Sequence, residues 1–380
     1  MRIAHFSDTH LGYRAYGRTA PNGLNQREVD VFKTFERFLD SIMERDPDVI
    51  LHTGDFFHTV RPSNHTIVNA FRRISSAQEA RSARPFVILA GNHETPRSVE
   101  AGCILRLFGN PEGRGSIPGV HTIVDEITAL NIGIDLELLA VPSRGIEQRK
   151  EYDLRPRAGK SVAVLAAHGL DAGLRLSSAD FELDELHPDK WDYVALGDYH
   201  VRKELRANAA YCGSTDFTST NIWEEASHPK GWHLFDSEKG GFEFIEVRPV
   251  RGVIDLPAID AAGLSGAETG ERMLAAATWD AEELPVVRQR LANVHPVARA
   301  EIPGDFLREL KARTVYYRLD IEVARPAVSE AGRGGQARPL EDEWREFAAG
   351  RELPKVIERE EFVGEGLALL AEARGATEEA

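Results

Sequence analysis

The sequence predicts an α/β fold over about the first 250 residues, followed by a smaller α+β region. Short apolar runs of strand length alternate there with amphipathic stretches, the signature of strands and helices layered in a sheet. The residues just past those runs are repeatedly Asp, Asn and His. Beyond about Arg251 the texture changes to an Ala-rich helix and an alternating strand.

The first strand is expected at residues 2–6, where Ile3, Ala4 and Phe6 are apolar. A helix follows at 25–45, because Val29, Phe32, Phe35, Leu39 and Met43 recur at helical spacing and offer one face to a sheet. Further strands are expected at 48–52, 85–90, 161–167 and 191–196. Past residue 250 come a helix at 266–278, a strand at 284–291, a short helix at 305–313 and a strand at 315–323. In that last strand Val315, Tyr317, Leu319, Ile321 and Val323 alternate with Tyr316, Arg318, Asp320 and Glu322. Residues 325–339 are rich in Gly, Pro and small polar side chains and read as a linker. The remainder, 340–380, is acidic, yet Trp344, Phe347, Phe362, Val363, Leu367 and Leu370 are more apolar side chains than a solvating tail needs. The expected organisation is thus 1–250, 251–324, a linker 325–339 and a helical tail 340–380.

Composition removes several function classes. Of 380 residues 42% are apolar and 28% charged, which suits a soluble globular chain, and no apolar window is long enough for a membrane span. Polar residues arrive too early after Met1 for a secretory leader, so a cytoplasmic location is expected. Cys103 and Cys212 are far apart and form neither a disulfide framework nor a thiolate zinc motif. A net charge of −15 excludes binding nucleic acid by bulk positive charge, though not a nuclease whose cations are metal ions. Neither a GxxxxGK[ST] phosphate loop nor a GxGxxG is present, so nothing suggests nucleotide hydrolysis by this chain itself.

The informative pattern is positional. The five strand ends are followed by Ser7-Asp8-Thr9-His10, Thr53-Gly54-Asp55, Gly91-Asn92-His93-Glu94, His168, and Gly197-Asp198-Tyr199-His200. Sites in α/β sheets form at that edge, because its loops converge on one crevice. Each cluster taken singly has an ordinary explanation as a turn or a helix cap. Their joint occurrence, in order and always past a strand, does not. Carboxylates, an amide and imidazoles without thiolate suit manganese, iron, zinc or magnesium rather than a structural zinc site. Eight such groups (Asp8, His10, Asp55, Asn92, His93, His168, Asp198, His200) exceed what one ion takes. Two ions sharing a bridging carboxylate would use seven and leave one for proton transfer, an arrangement suited to phosphoester hydrolysis.

These residues resemble the motifs of the calcineurin-like metallophosphoesterases. Phe6-Ser7-Asp8-Thr9-His10-Leu11-Gly12, Gly54-Asp55-Phe56-Phe57-His58, Arg61-Pro62-Ser63 and Gly91-Asn92-His93-Glu94 look like the SbcD-type DNA-repair nucleases, the meiotic recombination eleven family. The resemblance implies a sheet sandwich flanked by helices, with a smaller α+β DNA-capping domain at 251–324. It implies one ion on Asp8, His10, Asp55 and His200, and a second on Asp55, Asn92, His168 and Asp198, manganese first among the candidates. His93 would be the general acid, and His58 would face the substrate strand. Arg14, Arg18, Arg27, Arg61 and Arg202 are the expected phosphate contacts, with Tyr13, Tyr16 and Tyr199 stacking or packing nearby. Expected partners are DNA ends, a second copy in a homodimer, and an SbcC-like SMC-family ATPase docked on the tail, with no membrane.

One residue departs from the family pattern. Where it usually has GHxH, this chain has Gly197-Asp198-Tyr199-His200. Aspartate either keeps the second ion with a preference for harder metals or weakens that site. The implied function is a manganese-dependent 3′ to 5′ DNA exonuclease and endonuclease subunit. The competing expectations are a metallophosphatase or cyclic-nucleotide phosphodiesterase on the same fold, and a DNA-tethering scaffold subunit with a weakened site.

Overall fold

The computed structural model describes residues 1–96, 102–157, 159–279, 281, 283–324, 339–350 and 358–378. The chain divides into two compact units, Met1–Val323 and Ala324–Ala380. The boundary expected at 250/251 falls inside the first unit, and 325–338 of the expected linker lie outside the described residues.

The chain begins with β1 (Arg2–Phe6), α1 (Gln26–Arg45), β2 (Val49–His52), α2 (Asn64–Ala80) and β3 (Phe86–Leu89). Then follow β4 (Val120–Ile123), β5 (Thr128–Ile132), β6 (Leu136–Val141), β7 (Val162–His168) and β8 (Tyr193–Gly197). Next come β9 (Lys203–Arg206), β10 (Ala209–Tyr211), α3 (Ile222–Glu225), β11 (Gly231–Asp236) and β12 (Gly241–Glu246). Two six-stranded sheets result, in the orders β12-β11-β1-β2-β3-β4 and β5-β6-β7-β8-β10-β9.

Side-chain alternation along the strands explains why these sheets stack. On β1, Ile3 enters the core between the sheets while Ala4 and Phe6 enter the core under the helices. On β2, Val49 and Leu51 face inward and Ile50 faces the helices. The inner core joins Val87, Leu89 and Phe235 of the first sheet to Leu138, Val164, Ala166 and Tyr193 of the second. The outcome is a two-sheet sandwich with α1 and α2 on the outer face of the first sheet, in keeping with the sheet sandwich flanked by helices that the resemblance implies.

Helix α1 starts where Asn25 accepts a hydrogen bond from the N–H of Arg27 at 3.0 Å, and ends at Asp46 in a left-handed conformation (φ 47°). Its buried stripe is Val31, Phe35, Phe38, Leu39 and Ile42, with Val29, Phe32 and Met43 on its shoulder. Apolar spacing misplaced that stripe because Arg27 and Asp30 are buried on the same helix, in an ion network that hydropathy reads as surface.

The rest of the first unit comprises β13 (Val253–Asp255), β14 (Ile259–Asp260), α4 (Gly266–Ala276), β15 (Val286–Val294), α5 (Pro296–Glu301), α6 (Gly304–Ala312) and β16 (Tyr316–Val323). The long β15 is central and pairs in parallel with β13, β14 and β16. Met273, Val287, Leu291, Leu310 and Tyr317 form its own core. A smaller apolar cluster joins this sheet to the sandwich through Phe217, Ile222, Trp223, Val253 and Val286. In the second unit α7 (Leu340–Ala349) and α8 (Arg359–Glu378) form a helical hairpin. Among the described residues no helix is long and apolar enough to cross a membrane.

Candidate metal centre

Strands β1, β2 and β3 run parallel in one sheet, and β7 and β8 run parallel in the other. Their C-terminal ends share one edge of the sandwich, so the five motifs come together from two sheets rather than along one. The loops are laced to each other past the strand ends. The N–H of Asp8 donates to the carbonyl of Gly54 (3.0 Å), that of His10 to Asp55 (2.9 Å), and that of Gly169 to Gly197 (3.1 Å).

Four of the expected ligands occupy a backbone region that few non-glycine residues adopt: Asp8 (φ 53°), His10 (φ 49°), Asp55 (φ 55°) and Asp198 (φ 96°). Such a conformation persists only where surrounding contacts hold it, and it gathers at functional sites. Two glycines make the approach possible. A Cβ on Gly54 would lie 2.1 Å from His168 Nδ1, and one on Gly91 would lie 2.1 Å from Asp55 Oδ1. The glycines of the GD and GNH motifs therefore leave room for the ligand residues of neighbouring loops.

Three overlapping groups of donor atoms converge: Asp8, His10 and His200; Asp8, Asp55 and His168; and His10, His58 and His93. His10 Nε2 lies 3.0 Å from His200 Nε2 and 3.6 Å from Asp55 Oδ2. His168 Nε2 lies 3.5 Å from Asp55 Oδ1 and 3.7 Å from Asp198 Oδ1. Asp198 also ties to the first cluster, its N–H donating to the Asp8 carboxylate at 3.1 Å. Asn92 is exposed at the rim beside His93. His93 Nδ1 lies 2.8 Å from the carbonyl oxygen of His58 and donates to it, leaving Nε2 3.9 Å from Asp55 Oδ2.

The electrostatics fit a divalent cation. Burial opposes charge on His168, but the carboxylates of Asp55, Asp198 and Asp8 outweigh it and hold that imidazole up to about 9. Burial pushes the Asp198 carboxyl up to about 6, against the pull of His168 and with a smaller push from Asp55 and Asp8. Burial raises Asp8 as well. His10 is driven well below its ordinary value by burial and then by the surrounding imidazoles, and His58 falls to about 4 for the same reasons. The carboxylates of Asp8, Asp55 and Asp198 attract positive charge, as the raised His168 shows, while His10 and His58 resist carrying it: a donor set short of positive charge. The buried His168 Nε2 has no hydrogen-bond partner, while its Nδ1 lies 2.7 Å from the Thr53 carbonyl and donates to it. With Nδ1–H held by the carbonyl, Nε2 is the ring atom left to face a cation, which would take the place of a proton there. Asp8, His10, Asp55, His168, Asp198 and His200 can hold divalent metal, with oxygen and imidazole donors that do not select one ion.

Residues that sequence patterns passed over support these loops. The Glu94 carboxylate is fully buried and accepts from the N–H groups of Phe56 (3.1 Å) and Gly91 (3.2 Å), joining the loops after β2 and β3; burial pushes its carboxyl up to about 8. His52 spans from the N–H of Gly54 (3.3 Å) to Thr9 Oγ1 (2.7 Å). Glu94 closes the Gly91–Glu94 motif but is given no role of its own by the sequence pattern; His52 lies inside a strand and gives no signal.

The expected phosphate contacts fare differently. Arg27 is 1% exposed and bonded to Asp216 Oδ1 (2.7 Å) and the Phe217 carbonyl (3.1 Å), so it is a structural residue and the expectation is corrected. Arg14 is exposed but paired with Glu28, Arg18 donates to the Thr314 carbonyl, and Arg202 lies over the Phe244 ring. Arg61 is exposed. A groove of about 380 Å³ beside the cluster is lined by His10, His58, His93, Asp198, His200, Tyr199, Leu170, Leu176 and the hydroxyl-rich stretch 218–221, and by none of the five arginines. The tyrosines pack: Tyr16 stacks on Tyr316 at 4.1 Å, while Tyr13 and Tyr199 meet His58 and Tyr211 edge-on.

Comparison with known proteins bears on the same residues. The chain is 26% identical over 262 residues to the "DNA double-strand break repair protein Mre11" of Methanocaldococcus jannaschii, covering 66% of each chain. It is 34% identical over 208 residues to that of Sulfurisphaera tokodaii (53% of this chain, 49% of the relative) and 27% identical over 277 residues to that of Haloferax volcanii (70% and 56%). The matched stretch thus spans from about half to two thirds of these relatives' own length. Residues 1–202, more than half of the chain and containing all five motifs, match the family described as Calcineurin-like phosphoesterase. The protein belongs to the calcineurin-like phosphoesterases.

Proposed function

We propose that this chain is the nuclease subunit of a DNA-end-processing complex, hydrolysing phosphodiesters from 3′ ends and endonucleolytically. The observation that carries the reading is the convergence of five motif loops from two sheets on one set of Asp and His donors. The relatives' printed description as double-strand break repair proteins supports DNA as the substrate. Asp8, His10, Asp55 and His200 would hold one ion, and Asp55, Asn92, His168 and Asp198 the other, with manganese the expected metal. When bound, such ions supply Lewis acidity that activates water and neutralises charge on the transferred phosphoryl group.

The chain's own residues do the rest. Asp55 presents one carboxylate oxygen toward His10 and the other toward His168, and so spans both donor sets. His93 is 40% exposed, with Nδ1 committed to the His58 carbonyl and Nε2 left for substrate. As imidazolium it would donate the Nε2 proton to the departing sugar oxygen. His58, half-buried between Tyr13 and His93, would face the strand being cut. Arg61, Arg14, Arg18 and Arg202 would contact phosphates outside the groove, which positions a duplex without reading its sequence. The sheet at 253–323 would cap the DNA, the tail would dock on an SMC-family ATPase, and two copies would form the working dimer.

The test is cleavage of end-labelled duplex DNA with manganese, magnesium or chelator, beside bis-p-nitrophenyl phosphate. Manganese-dependent shortening from 3′ ends is expected. Hydrolysis of the small ester with no action on DNA, alone or with the ATPase, would replace this reading by a phosphodiesterase on the same fold.

A further inference from the structure

A buried ion pair stands directly behind the candidate centre. Glu225 and Lys230 are each 2% exposed and bonded to one another. Lys230 Nζ also donates to Ser214 Oγ (2.6 Å) and to the carbonyl of His200 (3.1 Å). Glu225 Oε2 accepts from Ser214 Oγ (3.0 Å), and its Oε1 accepts from the N–H of Ser219 (3.0 Å). That same Oε1 faces His200 Nδ1 at 3.5 Å, a buried nitrogen with no hydrogen-bond partner of its own. Across the ring, His200 Nε2 is grouped with His10 and Asp8.

A neutral imidazole has one proton to place. An acceptor at Nδ1 draws it there and leaves the Nε2 lone pair for a cation; a carboxylate does so more strongly than a carbonyl and makes the ring a better donor. The two imidazoles on the second sheet's motifs differ in this respect. His168 Nδ1 meets the neutral Thr53 carbonyl, whereas His200 Nδ1 meets a carboxylate. A lone carboxylate inside the protein would be costly, and Lys230 supplies the opposite charge while gripping the His200 backbone.

We propose that Glu225 is a positioning residue, which fixes the tautomer and aim of His200 so that Nε2 is offered to metal, with Lys230 as its buried ion-pair partner and anchor of the His200 backbone. This rests on the metal-site reading above. A purely architectural ion pair would join α3 to the start of β11 and do nothing for the ring.

Calorimetric titration of the apo full-length chain with manganese, alongside thermal melting in chelator, separates these roles. Two variants are compared: Glu225→Gln, and Glu225→Gln with Lys230→Met, which removes the buried charge together with the carboxylate so that folding does not depend on the pair. The expected result is two ions in wild type and, in both variants, one of the two bound about 10- to 100-fold more weakly. The double variant should show that loss while melting near wild type, and in a His200→Ala background the same double substitution should weaken that ion little further. A folded double variant that takes up both ions with wild-type affinity would overturn the proposal alone. Wild-type protein that takes up no manganese would overturn the metal-site reading and this proposal with it.

Discussion

The N–H of His93 donates to Asp55 Oδ1 (3.0 Å) while its ring is held through Nδ1, so backbone and side chain of one residue serve different ends. Removing the ring leaves the backbone contact in place. His93→Ala is therefore expected to bind manganese like wild type and to lose about 10²- to 10⁴-fold in cleavage rate, the range for a positioned acid. Metal content and single-turnover rate on labelled duplex check this, and loss of metal would make His93 a ligand or loop anchor instead. Asp198 invites the converse substitution. Its carboxylate adds an oxygen donor beside His168, where an imidazole would add a nitrogen. Asp198→His should raise zinc affinity relative to manganese, read by competition between the two ions; unchanged selectivity would mean that Asp198 does not touch the metal.

Helix α1 shows what can be read from sequence at the level of an element and what cannot. Its limits were legible because Asn25 and an uninterrupted amphipathic run mark them, as were the strands ahead of each motif. Its buried side was not, since Arg27 and Asp30 pair with partners about 190 and 220 residues away, Asp216 and Arg251. Hydropathy counts such groups as solvated, and only the folded topology reveals that their charges cancel. The same limit hid Glu225 and His52, and it made Arg27 look like a phosphate contact. For stability the network outweighs the surface pairs. Asp30→Ala strands Arg27 and Arg251 with less opposite charge inside the protein and should cost about 3–5 kcal/mol. Arg14→Ala removes a pair whose arginine is 56% exposed and should cost about 1 kcal/mol or less. Urea unfolding of the two variants checks the contrast, and equal losses would refute it.

At the scale of the whole chain, the separate unit 324–380 asks what it is for. Its hairpin is specific: Trp344 Nε1 donates to the Val363 carbonyl (3.1 Å), its ring meets Phe362 at 5.3 Å, and a Cβ on Gly366 would lie 2.2 Å from the indole. A tail meant only to solvate would not build such a contact. Yet a pair of helices alone buries little apolar surface, and Phe347 and Leu369 are 50% and 62% exposed. An element that folds but leaves large apolar side chains at its surface suits docking into a partner's groove. Among the described residues the donors of the candidate centre come from residues 8–200, all in the first unit. Under the function proposed above, deleting residues 336–380 is expected to leave metal-dependent nicking intact and to abolish co-purification with the proposed SMC-family ATPase. Leu369→Glu, which disturbs the exposed side of α8 and not the Trp344 contact, should weaken that association in the full chain. A truncated chain that still co-purifies with the ATPase would place the docking surface within residues 1–323.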